Sequence, residues 1–223
     1  MTWDGPTAQW WQGEVRDDAA YARDVDPLLD ELLGTSAEEP ILDLGCGDGR
    51  LLANHAAVGV DSSLDLVCHA AESGPAVVGD VRRLPFASSF WGAAYAVLVL
   101  EHIEDVSEFF VEAARVVAPS GVLAVVINHP VYTAPRSGPF VDPADEEVLW
   151  RWGDYFDRGA STEPAGSGTV LFHHRPIGDL LTAAADAGWK LERLIERSLD
   201  PAGDRLLAAQ THLPRLLGAR WRR

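Results

Sequence analysis

One stretch constrains the fold of this chain more than any other: Ile41-Leu42-Asp43-Leu44-Gly45-Cys46-Gly47-Asp48-Gly49. Pro40 precedes a short apolar run that reads as a buried strand. The run enters a turn with glycine at alternate positions, and Arg50–Ala56 reads as the helix after it. Alternating glycines let the backbone take positive φ and come close to a ligand. The helix start that follows offers free N–H groups. Strand, glycine turn and helix in this order open a βαβ unit.

The rest of the chain continues the alternation. Ala57–Val60 is a second strand and Ser63–Glu72 a second helix, capped by Ser62 or Ser63. Ala76–Val78 is a third strand. Trp91–Leu98 is a nearly continuous apolar run, suited to a central strand covered on both faces. Val106–Val117 is an amphipathic helix ended by Pro119-Ser120-Gly121. Val122–Ile127 is again fully apolar. Ahead of all this, Glu14–Leu33 has apolar residues at helical spacing, with a break or kink near Pro27. Such a pattern predicts an α/β fold with a parallel sheet and right-handed crossovers.

The pattern breaks at His129. Residues 129–170 are rich in Pro, Gly and aromatic residues. We read 129–175 as an insertion or lid, with a hairpin pairing Leu149–Phe156 with Thr169–His173. The alternation then resumes with a helix over Ile177–Ala187. Strands over Trp189–Ser198 and Thr211–Arg220 are expected to pair antiparallel at the sheet edge. The expected organisation is a single domain over residues 1–223, with 14–33 as an N-terminal helix.

The chemistry of the glycine turn narrows the ligand. A dinucleotide turn follows Gly-x-Gly-x-x-Gly, whose third glycine falls on position 50. That position is Arg50. Asp43 and Asp48 add carboxylates that repel a pyrophosphate and suit a cationic ligand without phosphate. S-adenosylmethionine, with its sulfonium and α-ammonium, fits better than NAD. Asp61 ends the second strand, where a carboxylate can accept both ribose hydroxyls. Asp80 follows the third strand, where it can accept from an adenine amino group while Val81 flanks the ring.

With these residues in register, the chain resembles the class I S-adenosylmethionine-dependent methyltransferases over roughly residues 16–222. Asp43–Gly49 matches the family's first motif, and Asp61 and Asp80 match its acidic ribose and adenine positions. Val97–Asp105 resembles the segment after strand four, and Val117–Leu123 the lead into strand five. Phe90-Trp91-Gly92 departs from the family by lacking the acid that usually opens strand four. Asn128-His129-Pro130, His173-His174-Arg175 and the ending His212–Leu217 are similar to its small-molecule, methyltransferase-11-like subgroup.

The resemblance implies a Rossmann-like, seven-stranded, mostly parallel sheet with an antiparallel last strand and helices on both faces. It implies S-adenosyl-L-methionine as cofactor, leaving as S-adenosyl-L-homocysteine. Cofactor contacts are expected from Asp43, Gly45, Cys46, Gly47, Asp61, Ser62, Asp80, Val81, Val97 and Leu98. His129 and His174 are candidate bases, and His102, Tyr132 and Arg175 candidate acceptor-binding residues. His173 and His174, if on a strand, point to opposite faces, and we favour His174 for the pocket. Trp10, Trp11 and Tyr21 are candidates to cover the cofactor. Cys46 reads as a packed residue, because methyl transfer from a sulfonium needs no enzyme nucleophile.

Composition excludes several alternatives. The chain has 18 basic and 34 acidic residues, a formal net charge of −16. Such a surface repels nucleic acid and anionic membranes. No apolar run is long enough for a membrane helix, and the start lacks the features of a signal peptide. We expect a cytoplasmic protein, monomeric or homodimeric, acting on a small-molecule acceptor. No cluster has zinc-ligand spacing. Asp142, Asp145, Glu146 and Glu147 form a solvated charge run that could otherwise gather a cation. A protein that binds the cofactor without catalysis would carry the same motif. An open acceptor cavity favours the enzyme, and one filled by Trp150, Trp152 or Phe156 favours the binder.

Overall fold

The structure, a computed structural model, is described over residues 3–15, 19–34, 40–165 and 167–223. Seven strands form the main sheet: β1 (Ile41–Leu44), β2 (Ala57–Asp61), β3 (Ala76–Val78), β4 (Trp91–Val97) and β5 (Val117–Asn128), joined by the two that close the chain. Two hairpins come between, β6 (Gly138–Val141) with β7 (Val148–Arg151), and β8 (Ala160–Ala165) with β9 (Gly168–His173). The closing strands are β10 (Lys190–Arg197) and β11 (Leu216–Arg222). The sheet order is β10-β11-β5-β4-β1-β2-β3. All neighbours from β3 through β5 pair parallel. β11 pairs antiparallel with both β5 and β10, so it alone runs against the other six.

The helices are α1 (Pro6–Trp10), α2 (Asp26–Leu33), α3 (Leu52–His55), α4 (Leu64–Ala70), α5 (Val106–Val116), α6 (Pro130–Thr133), α7 (Ile177–Asp186) and α8 (Arg205–Ala208). One face of the sheet is covered by α5 and α7, with Phe109, Phe110, Leu180 and Trp221 buried between them and the strands. The other face packs on α2, α3 and α4 through Leu28, Leu29, Leu32, Leu52 and Ala70. Leu28, Leu29 and Leu32 are wholly buried. Each contributes roughly 1.5–3 kcal/mol relative to exposure. Local chemistry sets the element ends. Ser63 caps α4 by accepting the Leu66 N–H, and Asp105 caps α5 by accepting the Ser107 N–H.

Several boundaries differ from the sequence reading. Pro27 does not break the N-terminal helix. It lies in the first turn of α2, where a missing N–H costs little, and a π-helical turn over Tyr21–Val25 precedes it. Part of the expected helix, residues 16–18, lies outside the described residues. β5 begins at Val117 and bulges across Pro119–Gly121, where its register with β4 shifts. Residues 211–215 are not strand; Pro214 has no N–H to give a ladder, and β11 starts at Leu216. The last two strands do pair antiparallel at the sheet edge as expected, with β10 outermost. The expected pairing of Leu149–Phe156 with Thr169–His173 is not formed. Each segment finds a nearer partner, in β6 and in β8.

Candidate active site

The turn after β1 and the ends of β2, β3 and β4 surround a cavity of about 460 Å³. This is the carboxyl edge of the strands, where open α/β sheets bind ligands. Gly45 has φ +85°, and a Cβ there would come within 2.5 Å of Val99 Cγ2. Gly49 has φ +82°, and a Cβ there would meet the α4 backbone at Ala70. The turn is thus glycine-dependent on both sides, against the loop after β4 and against α4. Arg50, at the position where a dinucleotide turn has glycine, lies over the Tyr21 ring at 4.3 Å and beside Asp48 at 3.4 Å.

Asp61 ties the strand ends together. Its Oδ2 accepts the Gly47 N–H at 2.9 Å and its Oδ1 the Ser63 N–H at 2.9 Å. Burial raises its pKa, against the pull of those two amides. Asp43 is 2% exposed, and burial raises its carboxyl from the usual 3.8 to about 8. A cation arriving here meets acceptors that water hardly reaches. At Asp80 the carboxylate already holds Arg82, through Nε at 3.0 Å and a terminal nitrogen at 2.7 Å. That pair lowers the Asp80 pKa. An adenine amino group at Asp80 would share the carboxylate with Arg82.

Asp43, Gly45, Cys46, Gly47, Asp61, Ser62, Asp80, Val81, Val97 and Leu98 all line this cavity. Cys46 is buried; its thiol packs so closely on Gly59 that a Cβ there would fall 2.5 Å from Sγ. Burial pushes the thiol pKa up, which leaves it inert. His102 also lines the cavity. Its Nδ1 lies 3.0 Å from the Leu171 carbonyl of β9. A carbonyl only accepts, so in the neutral ring Nδ1 carries the proton and the lone pair lies on Nε2.

The other candidates lie elsewhere. His129 is 1% exposed and caps α6, its Nδ1 accepting the Val131 N–H and its Nε2 donating to Glu196 at 2.8 Å. With both nitrogens engaged outside the cavity, it has none to offer an acceptor there. His174 is buried inside the insertion, where Nε2 donates to the Tyr155 carbonyl at 2.9 Å. β9 ends at His173, so the expected strand alternation does not extend to His174, and it is His173 that lines the cavity. Arg175 is a loop clamp. It donates to the carbonyls of Leu100 at 2.7 Å, of Ile103 and of Glu104, which leaves it facing backbone and not the cavity. Tyr132 is stacked between Trp150 and the Arg215 guanidinium.

Some lining residues were not foreseen. Trp3 sits edge-on to His102 at 4.8 Å and to Trp11 at 5.8 Å. Asp4 accepts the Ser63 hydroxyl at 2.8 Å, and the Gly5 N–H reaches Asp65. These contacts carry the N-terminal strap across the cavity to α4, and the unpatterned run Trp3–Gly5 gave no sign of it. Trp11 and Tyr21 line the cavity as well, whereas Trp10 packs edge-on to Trp11.

Two further acidic groups lie outside the cavity lining. Asp142 and Asp145 each accept a backbone N–H within their own turn. Asp26, Asp30 and His55 come together between α2 and α3. There each imidazole nitrogen faces one carboxylate, at 3.3 and 3.9 Å, so the group bridges the two helices.

Known proteins were compared against this geometry. A family model described as a methyltransferase domain matches residues 42–125. An S-adenosylmethionine-dependent methyltransferase from Mesorhizobium loti is 25% identical, with a TM-score of 0.77 over 93% of this chain and 99% of its own. A putative S-adenosylmethionine-dependent methyltransferase from Listeria monocytogenes, 18% identical, shares the fold with a TM-score of 0.79 over 91% of this chain and 97% of its own. An uncharacterized 37.1 kDa protein in transposon TN4556 of Streptomyces fradiae is 33% identical over 118 residues. That match spans 47% of this chain and 34% of the transposon protein.

Sheet order, glycine turn and acidic strand ends define a Rossmann-like enzyme fold with a nucleoside-type site. Over residues 42–125 the chain matches the methyltransferase-domain family model, and its fold is shared with S-adenosylmethionine-dependent methyltransferases. The family implies S-adenosylmethionine as its cofactor, and the cradle fits that group. It offers buried carboxylates for a cation and, at Asp61, an acceptor for hydroxyls, with no concentration of cations for a phosphate.

Proposed function

We propose that this chain transfers the methyl group of S-adenosylmethionine to a small-molecule acceptor. The observation that carries the reading is the cavity itself, which continues past the glycine turn and Asp61 to His102 and His173. None of the three aromatics of the insertion that could have filled it does so. Trp152 and Phe156 are 69% and 80% exposed, and Trp150 stacks on Tyr132. An open acceptor end favours a catalyst over a binding protein that only senses the cofactor. The bound sulfonium supplies an activated methyl group.

In this reading Asp61 holds the ribose, while Asp43 and the turn receive the amino-acid end. Val81 lies against the adenine, and Val97 and Leu98 face the reacting centre. Catalysis is mostly proximity, orientation and exclusion of water. Residues 129–175 serve as an acceptor-facing insertion of a single domain. The strongly acidic surface supports a reading without a nucleic-acid or anionic-membrane partner. Among the described residues no helix is long and apolar enough to cross a membrane.

Calorimetric titration with S-adenosylhomocysteine, with NAD as control, tests the cofactor assignment. Micromolar binding of the first and none of the second is expected. Tighter binding of NAD would overturn it.

A further inference from the structure

We infer that the acceptor is a small amine, taken up as its ammonium between Glu104 and Trp3 and deprotonated by His102. The inference rests on the methyl-transfer reading above. It comes from the lining that the residues proposed for the cofactor leave over, Trp3, His102, Glu104 and His173.

Charge is the first argument. Six carboxylates line the cavity (Asp4, Asp43, Asp48, Asp61, Asp80 and Glu104) against two arginines, Arg50 and Arg82. Both arginines are matched to neighbours, Arg50 to Asp48 and Arg82 to Asp80. Asp43 and Asp61 belong to the cofactor end. Glu104 remains at the acceptor end, exposed at the mouth, with no ion-pair partner within 4 Å among the described residues. Such a mouth repels an acceptor carboxylate or phosphate and attracts a cation.

The aromatic wall is the second. Trp3 and His102 line the cavity edge to face with ring centroids 4.8 Å apart, and Phe172 stands edge to face against His102 at 4.7 Å. The indole of Trp3 on this wall is the best of the aromatic faces for an ammonium.

Proton chemistry is the third. An ammonium has no lone pair for attack and must first lose a proton. In the neutral His102 ring the Leu171 carbonyl fixes the proton on Nδ1, so Nε2 is the nitrogen placed to take a proton. His173 stands by in neutral form, since burial and then Arg175 lower its pKa. The ammonium gives its proton to His102 Nε2. The freed nitrogen lone pair forms the new N–C bond to the methyl carbon as the C–S bond breaks, and its electrons go to sulfur. The products are an N-methylammonium and neutral S-adenosylhomocysteine, and His102 returns its proton to water at the mouth. The adjacent sulfonium favours the deprotonation, because two cations in one small cavity repel each other.

The experiment uses the full chain and two readouts. S-adenosylhomocysteine binding is measured first; if it does not bind, the cofactor assignment fails and this inference falls with it. On the loaded protein, calorimetry then compares benzylamine, phenethylamine and N-methylbenzylamine with benzyl alcohol, phenol and benzoate. In parallel, S-adenosylmethionine is supplied and methylated products are read by mass spectrometry. Binding and N-methylation of amines alone is expected.

Glu104→Gln should raise the amine KM and weaken amine binding about ten-fold, with little change in S-adenosylhomocysteine affinity. His102→Gln should cut kcat about 100-fold or more at pH 7 and recover part of it at alkaline pH, where the amine is already neutral. Methylation of phenol or benzoate in preference, no binding or turnover of any amine, or an unchanged amine KM in Glu104→Gln would overturn the inference while the cofactor assignment stands.

Discussion

Asp61 Oδ2 accepts the backbone N–H of Gly47 at 2.9 Å, so the end of β2 grips the turn that follows β1. The carboxylate proposed to hold the ribose therefore also shapes the turn proposed to hold the other end of the cofactor. Asp61→Ala removes both at once. S-adenosylhomocysteine affinity should fall about 100-fold, the size expected for losing two charge-assisted hydrogen bonds. Calorimetry checks this, and an affinity within two-fold of the wild type would separate Asp61 from the cofactor.

The raised pKa of Asp43 gives a pH dependence with a definite sign. Its carboxyl moves from 3.8 to about 8 on burial. The folded protein therefore holds a proton that the unfolded chain has released between those values. Its stability contribution is full below about pH 4 and is lost as pH rises through about 8. Asp43→Asn should flatten that part of the profile in urea unfolding. A bound ammonium lowers the Asp43 pKa, so cofactor binding should release protons at pH 7. Titrations in buffers of different ionisation enthalpy will register this, and equal heats in all buffers would count against it.

Gly45→Ala tests the fit between the turn and the loop after β4. Its Cβ would sit 2.5 Å from Val99 Cγ2, at φ +85°. Strain and overpacking together should cost about 2–4 kcal/mol. Gly45→Ala with Val99→Ala should recover the overpacking share, leaving about 1–2 kcal/mol of backbone strain. Equal stability of the single and double variants would mean that the contact with Val99 is immaterial.

The strap over the cavity should govern how long the cofactor stays. Trp3→Ala removes two edge-to-face contacts, to His102 and Trp11. At about 0.5–1.5 kcal/mol each, their loss should speed S-adenosylhomocysteine release about ten-fold or more. Stopped-flow tryptophan fluorescence measures the rate, and unchanged release would leave the strap without that function.

His129 should act on stability. It caps α6 and donates to Glu196. His129→Ala should lose about 1 kcal/mol, the usual worth of a cap. Burial lowers its pKa. Its share of stability is therefore present above the usual 6.5 and is lost as pH falls through the lower folded value. Methyl transfer in this variant should keep the wild-type pH dependence; losing the acidic limb of that profile would bring His129 back as a base.

The residues proposed for the cofactor were legible as cavity lining because each follows its strand directly in sequence. Asp43, the glycines, Asp61 and Asp80 are fixed by strand ends, and strands of apolar residues are easy to find. The acceptor end was less so, because it is assembled by tertiary contacts between distant segments. Arg175 has the chemistry of a carboxylate binder, yet the carbonyls exposed by the turn after β4 claimed it. His173 is the last residue of β9 and His174 already lies beyond it, a boundary set by the pairing with β8 that the sequence reading assigned to another segment. Trp3 has no periodic neighbours, so nothing local marked its place above the cavity.

The wall of Trp3, His102 and Phe172 joins the first residues of the chain, the loop after β4 and the late hairpin β8–β9. Three remote segments thus meet above one opening, with the glycine turn and its carboxylates beneath them. Kinetically this is a queue. The nucleoside must enter before the acceptor closes the way, and the demethylated nucleoside leaves last, so initial-rate patterns should be those of a compulsory-order two-substrate reaction.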